Sequence, residues 1–288
     1  MVRGIYTAAS GMITQQRRLD ALANNLANVD TSGYKRDVTI HKAFPELQLR
    51  RLRDEGVVNI PLSETFPPLG SVDKAPVIGT LGTGVETNEI FTVFEQGELE
   101  LTENPFDLAL HGEGFFAVMT PEGERYTRNG GFILGQEGIL MTKEGYPVLG
   151  ENGIIRIQEN NFIVDSDGKV FQNQALSGDP NRLVGDRENE WEEPVLVDRL
   201  RIVDVHSPRY LQKQGSSLWQ TTWESGDAEV MTDERPVVHQ GMRENSNVDP
   251  VTEMVRMIEV QRAYEANQRV IQTQDSSTDR LLNQVLRR

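Results

Sequence analysis

Cysteine is missing from all 288 residues, which removes disulfides, thiolate metal sites and cysteine nucleophiles together and leaves the redox compartment open. Histidine is scarce. His41, His111, His206 and His239 are scattered, have no partner at ligand spacing, and read as ordinary surface or packing residues. No run of ~18 apolar residues occurs, so a transmembrane helix is excluded. The opening Met1-Val2-Arg3-Gly4-Ile5-Tyr6 lacks the apolar core and small-residue cleavage site of a secretory signal. The expectation is a protein that stays inside or leaves by a route needing no such signal. Hydrophobic residues make up 37% and charged residues 25%, slightly apolar-poor for one compact globule. That shortfall points to apolar surface buried against other chains.

Catalytic arrangements are also missing. The chain holds 44 carboxylates, yet nothing in the sequence places two around a pocket as an acid/base pair. Ser10-Gly11 and Ser216-Ser217 lack the glycine pattern of a nucleophile elbow. Gly79-Thr80-Leu81-Gly82-Thr83-Gly84 is glycine-rich, but no lysine follows and no βαβ frame surrounds it, so it reads as a flexible lead-in. Asp165 and Asp167 before Gly168 resemble a fragment of a calcium loop without its spaced ligands and terminal glutamate. A type I′ or similar hairpin turn accounts for them. The reading is therefore no enzyme, with no catalytic, cofactor-binding or metal site and no small-molecule substrate.

The net charge of −15 is unevenly spread. Residues 1–53 carry nine Lys/Arg against four Asp/Glu, a net +5, and residues 243–288 carry seven against seven. The stretch between holds 13 against 33, a net −20. A basic head, an acidic middle and a neutral tail mark separate parts. The acidic body argues against nucleic acid, whose phosphates it would repel. The basic charges of the head are interleaved with apolar positions, as in a helix that packs.

Both ends read as helices. Ile5, Met12, Leu19 and Leu26 recur every seven residues, Ala8, Leu22 and Val29 fill companion positions, and Gln15 is a polar break. Asp30-Thr31-Ser32-Gly33 stops the helix. Toward the end, Asn247 or Asp249 can cap, Pro250 suits a first-turn position, and Glu253 favours the positive helix end. Met257, Tyr264, Ile271, Thr278 and Val285 then repeat at seven, with Val260, Asn267, Gln274 and Leu281 three residues further along each heptad. Neither helix has enough apolar surface to stand alone, and other copies of the chain are the favoured source of cover over a closed intramolecular pair.

Between the ends the periodicity changes. Residues 34–80 are punctuated by Pro45, Pro61, Pro67, Pro68 and Pro76, and read as an extended linker or arm. Ala43–Arg53 is its one helical candidate, with Arg50-Arg51-Leu52-Arg53 a solvated charge run. From residue 81 to 242 short β-branched and aromatic runs alternate with glycine turns. Examples are Glu89–Phe94, Phe106–Leu110, Phe115–Met119 and Leu200–Val205. An acidic insert lies near 172–196. The expected fold class is α+β: long N- and C-terminal helices, over 1–33 and 243–288, pair as a coiled-coil-like unit carrying an inserted mainly-β domain.

Three asparagines close together are odd in a helix, because asparagine is a poor helix former. They stand in Ala23-Asn24-Asn25-Leu26-Ala27-Asn28-Val29-Asp30-Thr31-Ser32-Gly33-Tyr34-Lys35, which resembles the N-terminal signature of the flagellar basal-body rod and hook family. Ser246-Asn247-Val248-Asp249, Glu253-Met254, Met257-Ile258 and Gln261–Asn267 are similar to that family's C-terminal helix. Gly112–Phe116, Tyr126–Gly130 and Gly145–Val148 resemble its β-domain. The resemblance covers most of the chain in the expected order.

It implies a structural subunit of the bacterial flagellum whose terminal helices pack with copies above, below and beside to form an inner tube. The channel would pass exported subunits, and the chain itself would leave through the flagellar type III export apparatus. Other axial proteins of rod and hook would be its neighbours, and its address the rod in the periplasmic region. Its termini would be disordered until assembly. The proximal-rod type is favoured, ahead of a distal rod or hook-type subunit. The residues expected to pack between subunits are Ile5, Met12, Leu19, Leu22, Asn24, Asn25, Leu26, Asn28 and Val29 in the first helix. In the second they are Met257, Val260, Gln261, Tyr264, Asn267, Ile271 and Leu281. Asn24 and Asn28, on one helical face, either cap the helix end or bond neighbouring backbones in the tube. A cell-wall enzyme acting on peptidoglycan and a free coiled-coil adaptor are the rival readings.

Overall fold

The computed structural model describes residues 2–50, 57–59, 71–73, 77–158, 161–173, 194–215, 217–232 and 235–285. It is an α+β chain with a helix at each end, α1 over Val2–Ala27 and α2 over Pro250–Val285, and a mainly-β middle. Among the described residues no helix is long and apolar enough to cross a membrane. Of the two candidate caps of α2, Asp249 takes the role. Its Oδ1 accepts the Val251 N–H at 3.1 Å, its other oxygen meets the Thr252 hydroxyl, and its carbonyl accepts the Glu253 N–H at 3.0 Å. Pro250 then costs nothing, because a first-turn N–H has no helical acceptor.

The chain divides into two compact units. The first comprises Met1–Asp20, Thr39–Ile90 and Arg256–Arg288. Here α1 and α2 approach through glycine: a Cβ on Gly4 would lie 2.1 Å from Gln274 Nε2, and one on Gly11 would lie 2.9 Å from Asn267 Nδ2. The two contacts ascend one helix while descending the other, so the helices run in opposite directions there. Strand Leu47–Arg50 pairs antiparallel with Val77–Leu81, and Val57–Asn59 with Ser71–Asp73. The helical candidate over 43–53 is thus overturned across its described part. Pro45 pushes Phe44 toward an extended backbone, and the Leu47/Leu49 alternation then serves a ladder. Arg51, Leu52 and Arg53 lie outside the described residues. So do residues 174–193 of the acidic insert near 172–196.

The second unit comprises Ala21–Val38 and Phe91–Val255. Its centre is a six-stranded sheet in the order Gln212–Lys213, Leu218–Gln220, Gly123–Thr127, Phe115–Thr120, Ile202–Val205, Ala228–Val230, antiparallel throughout. Phe115-Phe116-Ala117-Val118 is apolar without alternation because both faces are covered. Phe116 and Val118 enter a core with Leu108, Phe132, Val148 and Ile202, while Phe115 and Ala117 enter another with Val203 and Trp219. Phe94, Phe115 and Trp219 meet edge-on or tilted at 5.4–5.7 Å between centroids. The turn at 165–168 joins Ile163–Val164 to Lys169–Asn173 as a hairpin, with a Gly168 N–H bond to the Asp165 carbonyl at 2.8 Å. Only Gly168 has a positive φ (+76°), so the turn is of the type I kind closed by a left-handed glycine, and not type I′.

Candidate functional site

The asparagine-rich end of α1 folds onto the β-body of the second unit. Asn25 is 1% exposed. Its Oδ1 accepts the Asp37 N–H at 2.8 Å and its Nδ2 donates to the Asp37 carbonyl at 2.9 Å, so the amide mimics a strand neighbour. The same Oδ1 accepts the Tyr34 hydroxyl at 3.2 Å, and Nδ2 also donates to Glu253 Oε2 at 3.4 Å. Every donor and acceptor of this side chain is used. Glu253, buried at the first turn of α2, is thereby tied to the last turns of α1.

The other two asparagines finish the helix. Asn28 Nδ2 donates to the Asn24 carbonyl at 2.8 Å and to Asn24 Oδ1 at 3.2 Å, and Asn24 Nδ2 donates to the Tyr34 hydroxyl at 3.2 Å. Asn28 thus satisfies a carbonyl of the last turn of α1, whereas the Asn24 side chain bonds the side chains of Asn28 and Tyr34. A groove of about 290 Å³ beside them is lined by Asn24, Asn28, Thr31, Tyr34 and Lys213, among others. The bonds between the asparagines, Tyr34 and Thr31 occupy much of its polar lining. Among the described residues no group of three metal-ligating side chains gathers.

Gly33 turns the chain at φ +64°, and a Cβ there would stand 2.5 Å from the backbone of Arg128 and Asn129. Its N–H donates to the Glu244 carbonyl at 2.8 Å. The following Lys35 is fully buried, its Nζ 2.5 Å from Glu244 Oε1 and 2.7 Å from the Glu95 carbonyl. Arg128, also buried, brings Nη1 within 3.6 Å of Glu244 Oε2 and donates from Nη2 to the Gly112 carbonyl at 2.5 Å. Glu244 thus balances two buried cations. Burial pushes the Lys35 ammonium below its usual pKa, against the pull of Glu244, and lowers Arg128 in the same way, although a guanidinium stays charged. Burial also raises the Tyr34 phenol, with the carboxylates of Asp37 and Glu253 adding to the effect. Lys213 lies over the Tyr34 ring at 4.4 Å and pairs with both Asp37 carboxylate oxygens at 2.9 Å.

Asn247, the cap candidate that α2 does not use, does a related task. Its Oδ1 accepts the Arg36 N–H at 2.8 Å and its Nδ2 donates to the Val93 carbonyl at 2.9 Å. Sequence reasoning singled out Asn25 but missed Glu244, Arg128 and the role of Lys35. A lysine or glutamate ordinarily signals the surface, and nothing local marks one paired across the chain.

The expected packing residues fall into three groups. Leu22, Asn25 and Val260 are buried inside this chain. Ile5, Met12, Leu19, Leu26, Asn28, Val29, Met257, Tyr264, Asn267 and Ile271 are half-buried. Asn24, Gln261 and Leu281 are exposed.

Three comparisons with described families fall on these elements. Residues 5–35 match the family described as "Flagella basal body rod protein", and residues 239–284 match "Flagellar basal body rod FlgEFG protein C-terminal". Residues 109–172 match "Flagellar hook protein FlgE/F/G D1 domain". The first match contains Asn25, Gly33 and Lys35, and the second contains Glu244, Asn247 and Glu253. Among relatives, the chain is 32% identical to the flagellar hook-basal body complex protein FlhO of Bacillus subtilis, over 99% of both chains. It is 33% identical to the flagellar basal-body rod protein FlgG of Borreliella burgdorferi, over 96% of each. It is 33% identical to the flagellar basal-body rod protein FlgF of Caulobacter vibrioides, over 92% of this chain and 91% of that one.

Proposed function

This chain belongs to the flagellar basal-body rod protein family and is a structural subunit of that rod, and from this premise we propose that it polymerises through its terminal helices into a hollow axial shaft. The family is structural and its place is the flagellar basal body, where it assembles with other axial proteins. In our reading the shaft transmits torque and conducts exported subunits through its channel. The chain reaches its place through the flagellar export apparatus without a cleaved signal and stacks on copies of itself in the periplasmic part of the rod, in the proximal segment.

One observation carries the assembly reading. Val251, Met254, Val255 and Ile258 form an i, i+3, i+4, i+7 row on α2, each between 49% and 68% exposed. A helix that stays in water does not keep such a row bare, and a neighbouring subunit is the natural cover. The coiled-coil-like pairing of the two helices draws support from the heptads. Met257, Tyr264, Ile271 and Thr278 are all half-buried at seven-residue intervals, and Gly4 and Gly11 lie against α2 seven residues apart. The expected packing residues that remain half-buried or exposed are the proposed subunit contacts. The division used is a tube helix over 1–33, an arm over 34–80, a β-domain over 81–242 and a second tube helix over 243–288.

Truncation tests this reading. Because 21–38 and 243–255 fold with the β-body, the cuts belong outside them. Removing 2–18 or 262–288 is expected to abolish incorporation into basal bodies while the body keeps its cooperative unfolding. A truncated chain that entered basal bodies normally would overturn it. Imaging the labelled chain in intact basal bodies tests the address, and density in the distal rod or hook would replace the proximal assignment.

A further inference from the structure

Asparagine before glycine is the pair whose backbone nitrogen most readily attacks the side chain, because glycine has no Cβ to block the approach. The chain holds two such pairs, Asn129-Gly130 and Asn152-Gly153. Aspartate before glycine closes the same ring more slowly, and Asp167-Gly168 is the one such pair. All three lie in the second unit, and the fold treats them differently.

Two of the three are held. Asn129 Oδ1 accepts the Gly131 N–H at 3.1 Å, and the Gly130 carbonyl accepts the N–H groups of Leu108 and Phe132 at 2.9 and 3.0 Å. A Cβ on Gly130 would lie 1.6 Å from the Leu108 carbonyl oxygen, so this backbone has no room to turn. At Asp167 the attacking N–H, that of Gly168, is already committed to the Asp165 carbonyl at 2.8 Å.

Asn152 has neither restraint. It is exposed on the loop 150–153, between the bridged pair Leu149 and Ile154. The Gly153 N–H makes no hydrogen bond among the described residues, and a Cβ on Gly153 would meet nothing within 4 Å. The amide of Asn152 is bonded only through the nitrogen that the reaction expels: Nδ2 donates to Asp198 Oδ1 at 2.9 Å. That contact also makes the product matter. Asp198 is 7% exposed and accepts the Asn152 N–H, its Nδ2 and the Arg199 N–H. It belongs to Pro194–Arg199, the outer strand of the three-stranded sheet, and the Glu151 N–H donates to the Arg199 carbonyl at 2.8 Å in the same contact. Turning the amide into an acid deletes a donor and sets a second carboxylate beside a buried one.

We propose that Asn152-Gly153 is a self-modification site, where the chain converts its own amide to aspartate and isoaspartate and so loosens loop 150–153 from strand 194–199. The Gly153 nitrogen gives its proton to water or hydroxide and bonds to Asn152 Cγ. The Cγ–Nδ2 bond breaks, and Nδ2 leaves as ammonia with a proton from water, closing a five-membered imide. Water then opens either carbonyl of the ring, leaving the aspartyl or the isoaspartyl linkage. The net reaction consumes one water, releases one ammonia and changes no oxidation state. The site lies in the β-body and does not depend on the polymerisation reading.

Ageing the purified full-length chain at pH 8 and following its tryptic peptides by mass spectrometry tests the site. Cleavage after Arg128, Lys143 and Arg156 puts the two asparagines on separate peptides, 129–143 and 144–156. In the folded chain 144–156 is expected to convert at least about tenfold faster than 129–143, the factor set by breaking a hydrogen bond at Asn129 or Gly130. In urea, where only the local sequence acts, the two rates are expected to fall within about threefold of each other. Equal rates in the folded chain, a faster Asn129, or an Asn152 more than about tenfold slower than in urea would each overturn the site. Asn152→Asp presents one product from the start. It is expected to unfold at about 0.5 M less urea than the parent, with Trp219 as reporter, and to speed amide exchange over 195–200. A midpoint and exchange pattern matching the parent would overturn the loosening.

Discussion

Replacing Asn25 by leucine keeps the side-chain volume and removes every polar atom that the site uses. The Asp37 N–H and the Tyr34 O–H each lose their acceptor inside the protein. The Asn24 amide donates to the Tyr34 oxygen and cannot accept its proton in exchange. Each orphaned buried donor costs about 1–3 kcal/mol, so the two together cost about 4 kcal/mol. The added apolar surface returns about 1 kcal/mol. A net loss of about 3 kcal/mol, with a urea m-value of about 2 kcal/mol/M, lowers the unfolding midpoint by about 1.5 M. Trp219 is the reporter, since it is fully buried against Phe94 and Phe115 in the same unit. Asn28→Ala is the control: its bonds are exposed at the end of α1, and it is expected to cost about 0.5–1 kcal/mol. A midpoint for Asn25→Leu within 0.5 M of the parent, or one no lower than that of Asn28→Ala, would refute the argument that this asparagine is structural wiring (both thresholds follow from the same m-value).

Three further outcomes are expected. Gly33→Ala places a methyl 2.5 Å from the Arg128–Asn129 backbone at a left-handed φ, and is expected to lower stability by at least about 2 kcal/mol in the same urea assay. Glu244→Gln leaves Lys35 and Arg128 as buried cations without their counter-charge and is expected to cost about 3–5 kcal/mol, whereas Lys35→Met leaves the Arg128–Glu244 pair intact and is expected to cost clearly less. The reverse order would show that Lys35 and not Glu244 organises the cluster. The raised phenol of Tyr34 stabilises the fold while it stays protonated. Its contribution is complete below the ordinary tyrosine pKa of about 10 and is lost as pH climbs beyond that toward the folded-state value. The stability gap between parent and Tyr34→Phe is therefore expected to shrink from pH 8 to pH 11 in urea midpoints. A constant or widening gap would mean that the hydroxyl is not held in its neutral form.

Local pattern decided a large part of the fold. Seven-residue spacing marked both helices, Asp30–Gly33 and Pro250 bounded them within a few residues, and β-branched and aromatic runs with glycine turns marked the body, because these signals act over one or two turns of chain. The strand at Leu47–Arg50 was illegible, since a four-residue ladder draws its stability from Val77–Leu81 and not from its own residues. Apolar periodicity singled out Ile5 and Met12 as packing positions, whereas a close approach to α2 runs through their neighbours Gly4 and Gly11. A pattern search rewards side chains, and the close approach depends on their absence.

The site divides in the same way. The sequence by itself determined that three asparagines stood where a helix should end, and that this segment resembles a rod and hook signature. Only the tertiary structure decided what they do: Asn25 is spent on Asp37, Tyr34 and Glu253, and Lys35 is buried on a glutamate 209 residues away. An amide or an ammonium has no preferred place in a linear pattern. Its place is set by whichever buried partner can satisfy it, and that partner is chosen by the fold.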